Sequence, residues 1–420
     1  DFAAQRSGHG ARAIRYCVVM KKTMKPLSII VFTRDLDIYS VSMLQALEKR
    51  GHQIRVIIEP QNHAHAKDWS SAITLLEKVK LNGRFDKVAA KQYAQAVDQY
   101  QADICLCYTS RALSVALTAK RLYQFKTPII GSRGAIGGVS AFYVQDWFTY
   151  LSPRLSAVAC MSQAIANKLT KEAKRFYPSH PGVFEVIYPA YGRLMDNHEG
   201  PIARQRSLSD TVNLLCIAND RPIKGLMLLL EAVEQHLKAM NWKLDLVGEC
   251  GSAVKEKIQS SKKLSAHVYA HGYRKDVPDF LRRAHIYIQP TLAPGEGIGN
   301  SMAEAMSFGL PVITSNMGGG IELTQHNESG IHFEVGNAAA LASAIDRLAH
   351  DPDACDRLGE KAAQTLAQRF SLDTEAEAFS DEAQLITDEM LNDPLCMNLI
   401  PGGVGPQHFM SSPKKTDEDR

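Results

Sequence analysis

An α/β protein built of two parallel-sheet domains is the fold class that this sequence predicts, on three observations. From residue 27 onward, short β-branched runs alternate with longer helical stretches. The alternation breaks between residues 191 and 211, where the chain turns polar and irregular (GRLMDNHEGPIARQRSLSDT), and then resumes. A length of 420 residues also exceeds one ordinary core, since domains usually hold roughly 100–150 residues.

The first series reads LSIIVFT at 27–33, a helix near 39–50, QIRVIIE at 53–59, ADICLCY at 102–108 and a helix around 112–123. It closes with TPIIGS at 127–132, SAVACMS at 156–162 and VFEVIYP at 183–189. Strand, helix, strand implies parallel pairing. The second series reads VNLLCIA at 212–218, a helix at 225–238, KLDLVGE at 243–249, AHVYAHG at 266–272 and HIYIQPT at 285–291. A helix at 300–308, PVITSN at 311–316 and helices from about 338 follow. No repeat of solenoid period is visible, so two similar Rossmann-like halves are expected rather than an array. The expected divisions are a leader at 1–25, a first domain at 26–195, a linker at 196–211 and a second domain at 212–375. A closing helix at 376–391 is expected to pack back on the first domain, ahead of a mobile tail at 392–420. Ligands of such sheets sit at the carboxyl ends of the strands, which makes the cleft between the domains the expected site.

Composition narrows the function classes. Hydrophobic residues at 45% and charged residues at 22% are those of a globular protein, not a disordered chain. The 48 basic and 45 acidic side chains leave a formal net charge of +3, so no global field argues for a nucleic-acid partner. Cysteines at 17, 105, 107, 160, 216, 250, 355 and 396 form no C-x-x-C pair and fall largely in apolar runs. They are expected to be buried thiols of a reducing, cytoplasmic compartment. No run approaches the roughly 18 apolar residues of a membrane span, so membrane contact is expected to be peripheral at most. The opening residues lack the apolar centre of a secretory signal, and Met20 or Met24 is the natural start.

The chemistry concentrates in residues 295–313, GEGIGNSMAEAMSFGLPVI, where Glu296 and Glu304 are separated by seven residues. Glu296 is expected in a Gly-rich loop after a strand, and Glu304 one turn into the following helix. The free amides of the loop and helix start then face the same volume as both carboxylates. That volume suits a nucleotide sugar: amides and helix dipole hold the diphosphate, and each carboxylate accepts hydroxyl protons from a ribose or hexose ring.

This segment resembles the E-x7-E signature of family 4 of the retaining glycosyltransferases, E-G-F-G-x-x-x-x-E-A-M-A-x-G-x-P-V-I. Around it, IKGLMLLLEAV resembles the E-K-G-x-x-x-L-I-E-A block, LDLVGE the strand ending V-G-x-G, and GGGIEL the G-G-x-x-E block. HGYRKDVPDFLRRAHIYIQPT resembles the stretch that precedes the signature. The likeness covers roughly residues 213–371 well. The first domain matches weakly, through EKRGHQIRVI, SPRLSAVACMS and VIYPAYG. The resemblance implies the GT-B fold, in which two Rossmann-like domains face across a cleft.

It also implies roles. Glu304 would accept the ribose hydroxyls, Glu296 would hold hydroxyls of the donor sugar, and the amides of Gly297, Ile298, Gly299 and Asn300 would line sugar and phosphates. Lys224 matches the family's phosphate-binding lysine, whose charge would neutralise the departing diphosphate without a metal. The family's partner arginine falls where this chain has Asn219, with Arg221 as the nearby substitute. Tyr273, in the HGYRKD block, joins the donor-binding set. In the first domain, Arg133 stands about where the family has a histidine, and the family's early Gly-Gly loop is replaced by TRDLDIYS.

Plain structural readings compete with these. An acid near a helix start is common for electrostatic reasons alone; Lys224 can also be read as a solvated helix-start lysine, though phosphate binding is preferred, and Arg133 reads equally as a structural arginine or as a substrate-facing one. Asp35 and Asp37 spell D-x-D, a metal-binding tripeptide of another glycosyltransferase fold, but a capping Asp37 is preferred. His63 and His65 lack companion ligands at metal spacing. The basic, aromatic stretches KRLYQFK and KEAKRFY read as solvated helix faces in preference to contacts with anionic lipid.

The expected function is a retaining, metal-independent transfer of a hexosyl group from a nucleotide diphosphate sugar, with no cofactor, onto a glycan or lipid-linked acceptor in polysaccharide or glycoconjugate synthesis. The rival from another class is a catalytically silent nucleotide-sugar-binding subunit that supports a partner transferase. An epimerase or a phosphorylase would need other marks, such as a lysine for pyridoxal phosphate.

Overall fold

The computed structural model describes residues 25–34, 36, 38–58, 74–75, 81–134, 137–180, 183–192, 194, 200–202, 207–208, 210–238, 241–293 and 298–392. Asp35, Asp37, His63, His65, Glu296 and Gly297, with the leader through residue 24 and the tail from residue 393, lie outside the described residues.

The chain forms two parallel sheets. The first contains β1 (Ser28–Thr33), β2 (Gln53–Ile58), β3 (Thr74–Leu75), β4 (Ile104–Cys107), β5 (Ile129–Arg133), β6 (Ala157–Cys160) and β7 (Val183–Val186). Its order is β3-β2-β1-β4-β5-β6-β7. The second contains β8 (Val212–Ile217), β9 (Trp242–Val247), β10 (Val268–Ala270), β11 (Ile286–Gln289), β12 (Val312–Ser315) and β13 (Ile331–Phe333), in the order β10-β9-β8-β11-β12-β13. Each order reverses once, between β1 and β4 and between β8 and β11, and such a switch point opens a crevice at the carboxyl ends of its strands.

Several strands were legible because a strand covered on both faces reads as a continuous apolar run. β4 (ICLC), β11 (IYIQ) and β12 (VITS) are buried throughout. Two strands escaped the reading: β3 has two residues and β13 three, too short for any period to register. The helix expected at 225–238 is also modified. It is α-helical over Leu226–Glu231 and then widens into a π turn over Ala232–His236.

The chain crosses between the units twice. After β7, Tyr191 and Leu194 are buried in the core of the second unit. Gly192 lies so close to the helix Pro352–Arg369 that an added Cβ would sit 2.8 Å from the Leu366 carbonyl oxygen. The chain then returns through the final helix, Leu372–Asn392, whose Ala376, Phe379, Ala383 and Ile386 are buried against β1, β2 and the helix Ile38–Lys49. Beneath that contact the His52 ring accepts the Leu27 amide on Nδ1 at 3.2 Å and meets Ser380 Oγ through Nε2 at 3.1 Å. Burial, with Arg50 nearby, lowers its pKa.

Candidate active site

Lys224 and Glu304 flank the β8/β11 switch point. Lys224 ends a short 3-10 turn, Pro222–Lys224, after β8. The next residue, Gly225, has φ +69°, and a Cβ there would lie 1.8 Å from the Pro290 carbonyl oxygen. Only glycine allows this approach. The Leu292 amide donates to the Ile223 carbonyl at 2.8 Å, so the turn carrying Lys224 is stitched to the segment that leaves β11 toward Glu296.

The same closeness recurs at the start of the Glu304 helix, Asn300–Ser307. Gly299 precedes it, and an added Cβ would lie 2.7 Å from Gln289 Nε2 at the end of β11. Tyr287 donates its hydroxyl to Ser301 Oγ at 2.8 Å, and Ser301 reaches the Ile217 carbonyl at 3.4 Å, which ties the helix start to both β11 and β8. Tyr191, from the crossing segment, donates to Asn300 Oδ1 at 3.0 Å. Ile298 is buried.

Two features of this helix matter chemically. No side chain caps its first turn, so N–H groups and the positive end of the dipole remain for an anion. Glu304, in the second turn, is half-buried, and burial raises its carboxyl pKa. Among the described residues nothing donates a hydrogen bond to that carboxylate, although the surrounding hydroxyls and amides are engaged. A partly desolvated carboxylate without donors has acceptor capacity that a ligand's hydroxyls can fill.

The remaining expected residues fall into place unequally. Asn219 and Arg221 are exposed and bonded to each other, Arg221 Nε donating to Asn219 Oδ1 at 3.3 Å. Tyr273 is exposed at the carboxyl end of β10, where its amide donates to Glu249 at 3.3 Å. Arg133 ends β5 in the first unit. Its guanidinium donates to the Gly137 carbonyl and stacks 4.8 Å over the Tyr150 ring, whose hydroxyl donates to the Ser132 carbonyl at 3.1 Å. That is the geometry of an arginine holding its own loop.

Glu322 is the residue to which the sequence assigned no role. Its carboxylate accepts the amides of Gln163 at 2.7 Å and Ala164 at 3.2 Å, and the Tyr188 hydroxyl at 3.0 Å. All three donors belong to the chain before β8, so Glu322 clamps the second unit to the first turn of the helix Gln163–Phe176. The GGGIEL block was the available signal, but its partners lie more than 130 residues away in sequence.

Residues 202–365 match the family model described as "Glycosyl transferases group 1". The matched residues lie in the second unit. Among similar proteins, the lipopolysaccharide core biosynthesis glycosyltransferase LpsE of Rhizobium meliloti is 26% identical over 348 residues, which cover 81% of this chain and 93% of LpsE. The putative glycosyltransferase EpsD of Bacillus subtilis is 31% identical over 117 residues, a match that spans 28% of this chain and only 30% of that protein. Among solved structures, Anabaena HepE in complex with UDP superposes with a TM-score of 0.62 at 17% identity, over 85% of this chain and 99% of HepE. The fold is therefore GT-B, and the chain carries the enzymatic domain of a glycosyltransferase. Among the described residues no helix is long and apolar enough to cross a membrane.

Proposed function

We propose that this chain transfers a hexosyl group from a nucleotide diphosphate sugar to an acceptor hydroxyl, with retention of configuration, in the synthesis of a polysaccharide or glycoconjugate. The observation that carries the proposal is Glu304: a half-buried carboxylate without a described donor, on the first uncapped helix beyond the switch point. A ribose supplies two hydroxyl donors of the kind it lacks. HepE, of the same fold, was solved with UDP, and LpsE is named for lipopolysaccharide core synthesis, which supports a nucleotide donor and a glycan or lipid-linked acceptor.

In this reading the diphosphate lies on the start of the Asn300–Ser307 helix, with Lys224 across the switch point to balance its charge. Glu296 holds hydroxyls of the sugar. The bond from the anomeric carbon to the phosphate oxygen breaks, the acceptor oxygen bonds to the same face of that carbon, and the acceptor proton passes to the departing phosphate oxygen. Lys224 and the helix amides stabilise the leaving group, a task that a divalent metal performs elsewhere. Retention is supported by the family resemblance. The cysteines at 105, 107, 160, 216, 250 and 355 are buried free thiols, which supports a cytoplasmic enzyme.

A thermal-shift panel of uridine, guanosine and adenosine diphosphates and their sugars tests the donor, since a ligand of the folded state alone raises Tm. One base is expected to stabilise the protein, and transfer from its sugar is expected to survive EDTA. No shift with any nucleotide, or activity lost in EDTA and restored by manganese, contradicts the proposal.

A further inference from the structure

We propose that Tyr191 is a positioning residue for the donor diphosphate: its hydroxyl fixes the Asn300 carboxamide so that the NH2 group of that side chain donates to a phosphate oxygen. This rests on the reading in which the diphosphate lies on the start of the Asn300–Ser307 helix.

Tyr191 stands where the chain passes from one core to the other. Ile187 is buried in the core of the first unit, and Tyr191 and Leu194 in that of the second. The backbone on either side of Tyr191 is pinned. The Ala190 amide donates to Glu375 of the final helix at 3.0 Å, and the Gly192 amide donates to the Phe370 carbonyl at 2.8 Å. Phe370, itself buried, lies where the chain makes its second passage, and the rings of Tyr188 and Tyr191 pack on it with centroids 5.3 Å and 6.5 Å away. Both passages between the units therefore meet around this phenylalanine. Tyr188 donates from the same segment to Glu322 at 3.0 Å, so two neighbouring tyrosines hold the second unit at two separate places.

The place held by Tyr191 is the start of the helix that carries Glu304. Its hydroxyl lies 3.0 Å from Asn300 Oδ1 and 3.5 Å from the Ile298 carbonyl oxygen. A hydroxyl has one proton to give, and the shorter contact takes it. An O–H that donates to Oδ1 also decides which way a carboxamide faces: the oxygen turns toward Tyr191 and the NH2 group away from it. Asn300 is exposed, and among the described residues its NH2 group donates to nothing. Beside it are the N–H groups of a first turn that no side chain caps. Two further protons at that edge match a phosphate oxygen, and a hydrogen bond to a charged acceptor is worth more than one to a neutral group. Tyr191 thus ties the setting of the two units to the donors that meet the leaving group.

Calorimetric titration of UDP, GDP and ADP into the full chain and its variants tests it. For the nucleotide that binds, Asn300→Ala is expected to weaken affinity roughly tenfold, and Tyr191→Phe somewhat less. Tyr191→Phe/Asn300→Ala is expected to bind like Asn300→Ala alone, because the tyrosine acts only through Asn300. Asn300→Asp still accepts the Tyr191 proton but offers no donor and adds a negative charge, so it is expected to bind more weakly than Asn300→Ala. Circular dichroism melts check folding, and Asn300, an exposed side chain, keeps the test decisive if Tyr191→Phe is unstable. Losses that add in the double variant, or Asn300→Asp with wild-type affinity, overturn the proposal and leave Tyr191 a packing role. Binding that is weakened by Glu304→Ala but by neither Tyr191→Phe nor Asn300→Ala overturns it while the donor reading stands. A wild-type chain that binds none of the three nucleotides overturns both.

Discussion

The α-helices that follow strands begin differently in the two units, although the 3-10 helix Val144–Phe148 of the first unit also lacks a side-chain cap. In the first unit, Asp86, Thr109 and Ser162 each accept an amide from the first turn of the helix that follows. In the second, the five helices that leave β8, β9, β10, β11 and β12 have no side-chain cap, and four of them begin on glycine: Gly225, Gly251, Gly299 and Gly318. Sequence habit does not explain this, because helices of the second unit that start elsewhere are capped by Ser261, Asn337 and Asp351. The uncapped starts gather at the carboxyl edge of one sheet. A first turn left open there can be completed by the oxygens of an anion. In the first unit, Arg133 bonds within its own loop, to the Gly137 carbonyl and over the Tyr150 ring.

The most damaging way to break this contrast is at a glycine. Gly225→Ala must push a methyl into the Pro290 carbonyl while holding φ +69°, and is expected to cost about 3 kcal/mol or more and to abolish nucleotide binding. Gly51→Ala, in the first unit, meets nothing within 4 Å although its φ is +93°, so it should cost only about 1 kcal/mol. Chemical denaturation of both variants checks the difference. Equal losses would remove the special status of the donor edge.

Next in size is the clamp. Glu322→Ala releases the amides of Gln163 and Ala164 and the Tyr188 hydroxyl. Transfer is expected to fall on the order of tenfold or more through misalignment of the two units, with nucleotide affinity unchanged and a larger radius in solution scattering. Tyr188→Phe should do the same more mildly. A weakened nucleotide affinity instead would place Glu322 in the binding site.

Much of the second unit's local geometry was legible because its signals are local. Gly225, Gly299, Glu304 and Lys224 fall in short strings in which residue type and backbone geometry coincide, and strands buried on both faces read as apolar runs. The clamp was not legible, since Glu322 meets Gln163 and Tyr188 only after two sheets have formed. Nor was the occupation of Arg133: a sequence places it at a strand end but cannot say that Tyr150 lies under it. The uncapped helix starts sat in the sequence as glycines, yet a glycine reads as a turn until the capped helices of the other unit stand beside it for comparison. Outside the fold's local rules lie β3 and β13, which exist because a neighbouring strand offers an edge.

Two smaller effects sharpen the contrast from the first unit's side. Arg133→Ala is expected to cost about 1 kcal/mol by removing one hydrogen bond and one stacked cation. It should leave nucleotide affinity unaltered and depress transfer if the loop that it holds faces the acceptor, so transfer and calorimetry on one preparation read it out. Wild-type transfer would confine Arg133 to supporting its loop. His52, beneath the final helix, has its pKa lowered by burial. Its contribution is therefore present above the unfolded value of 6.5 and lost as pH falls through the folded value. Melting followed from pH 7 downward should show a loss that His52→Gln lessens.

The central claim is that the nucleotide completes the open edge of the second sheet at Glu304, and calorimetric titration of the nucleotide diphosphate chosen by the thermal-shift panel tests it most directly. Wild-type affinity should decline on acidification at a pH above the ordinary carboxylate range, since burial raises the Glu304 pKa and only the carboxylate accepts both hydroxyls. Glu304→Ala should bind roughly tenfold or more weakly and lose that pH dependence. Unchanged affinity in Glu304→Ala, in a protein that melts like the wild type, would contradict the account.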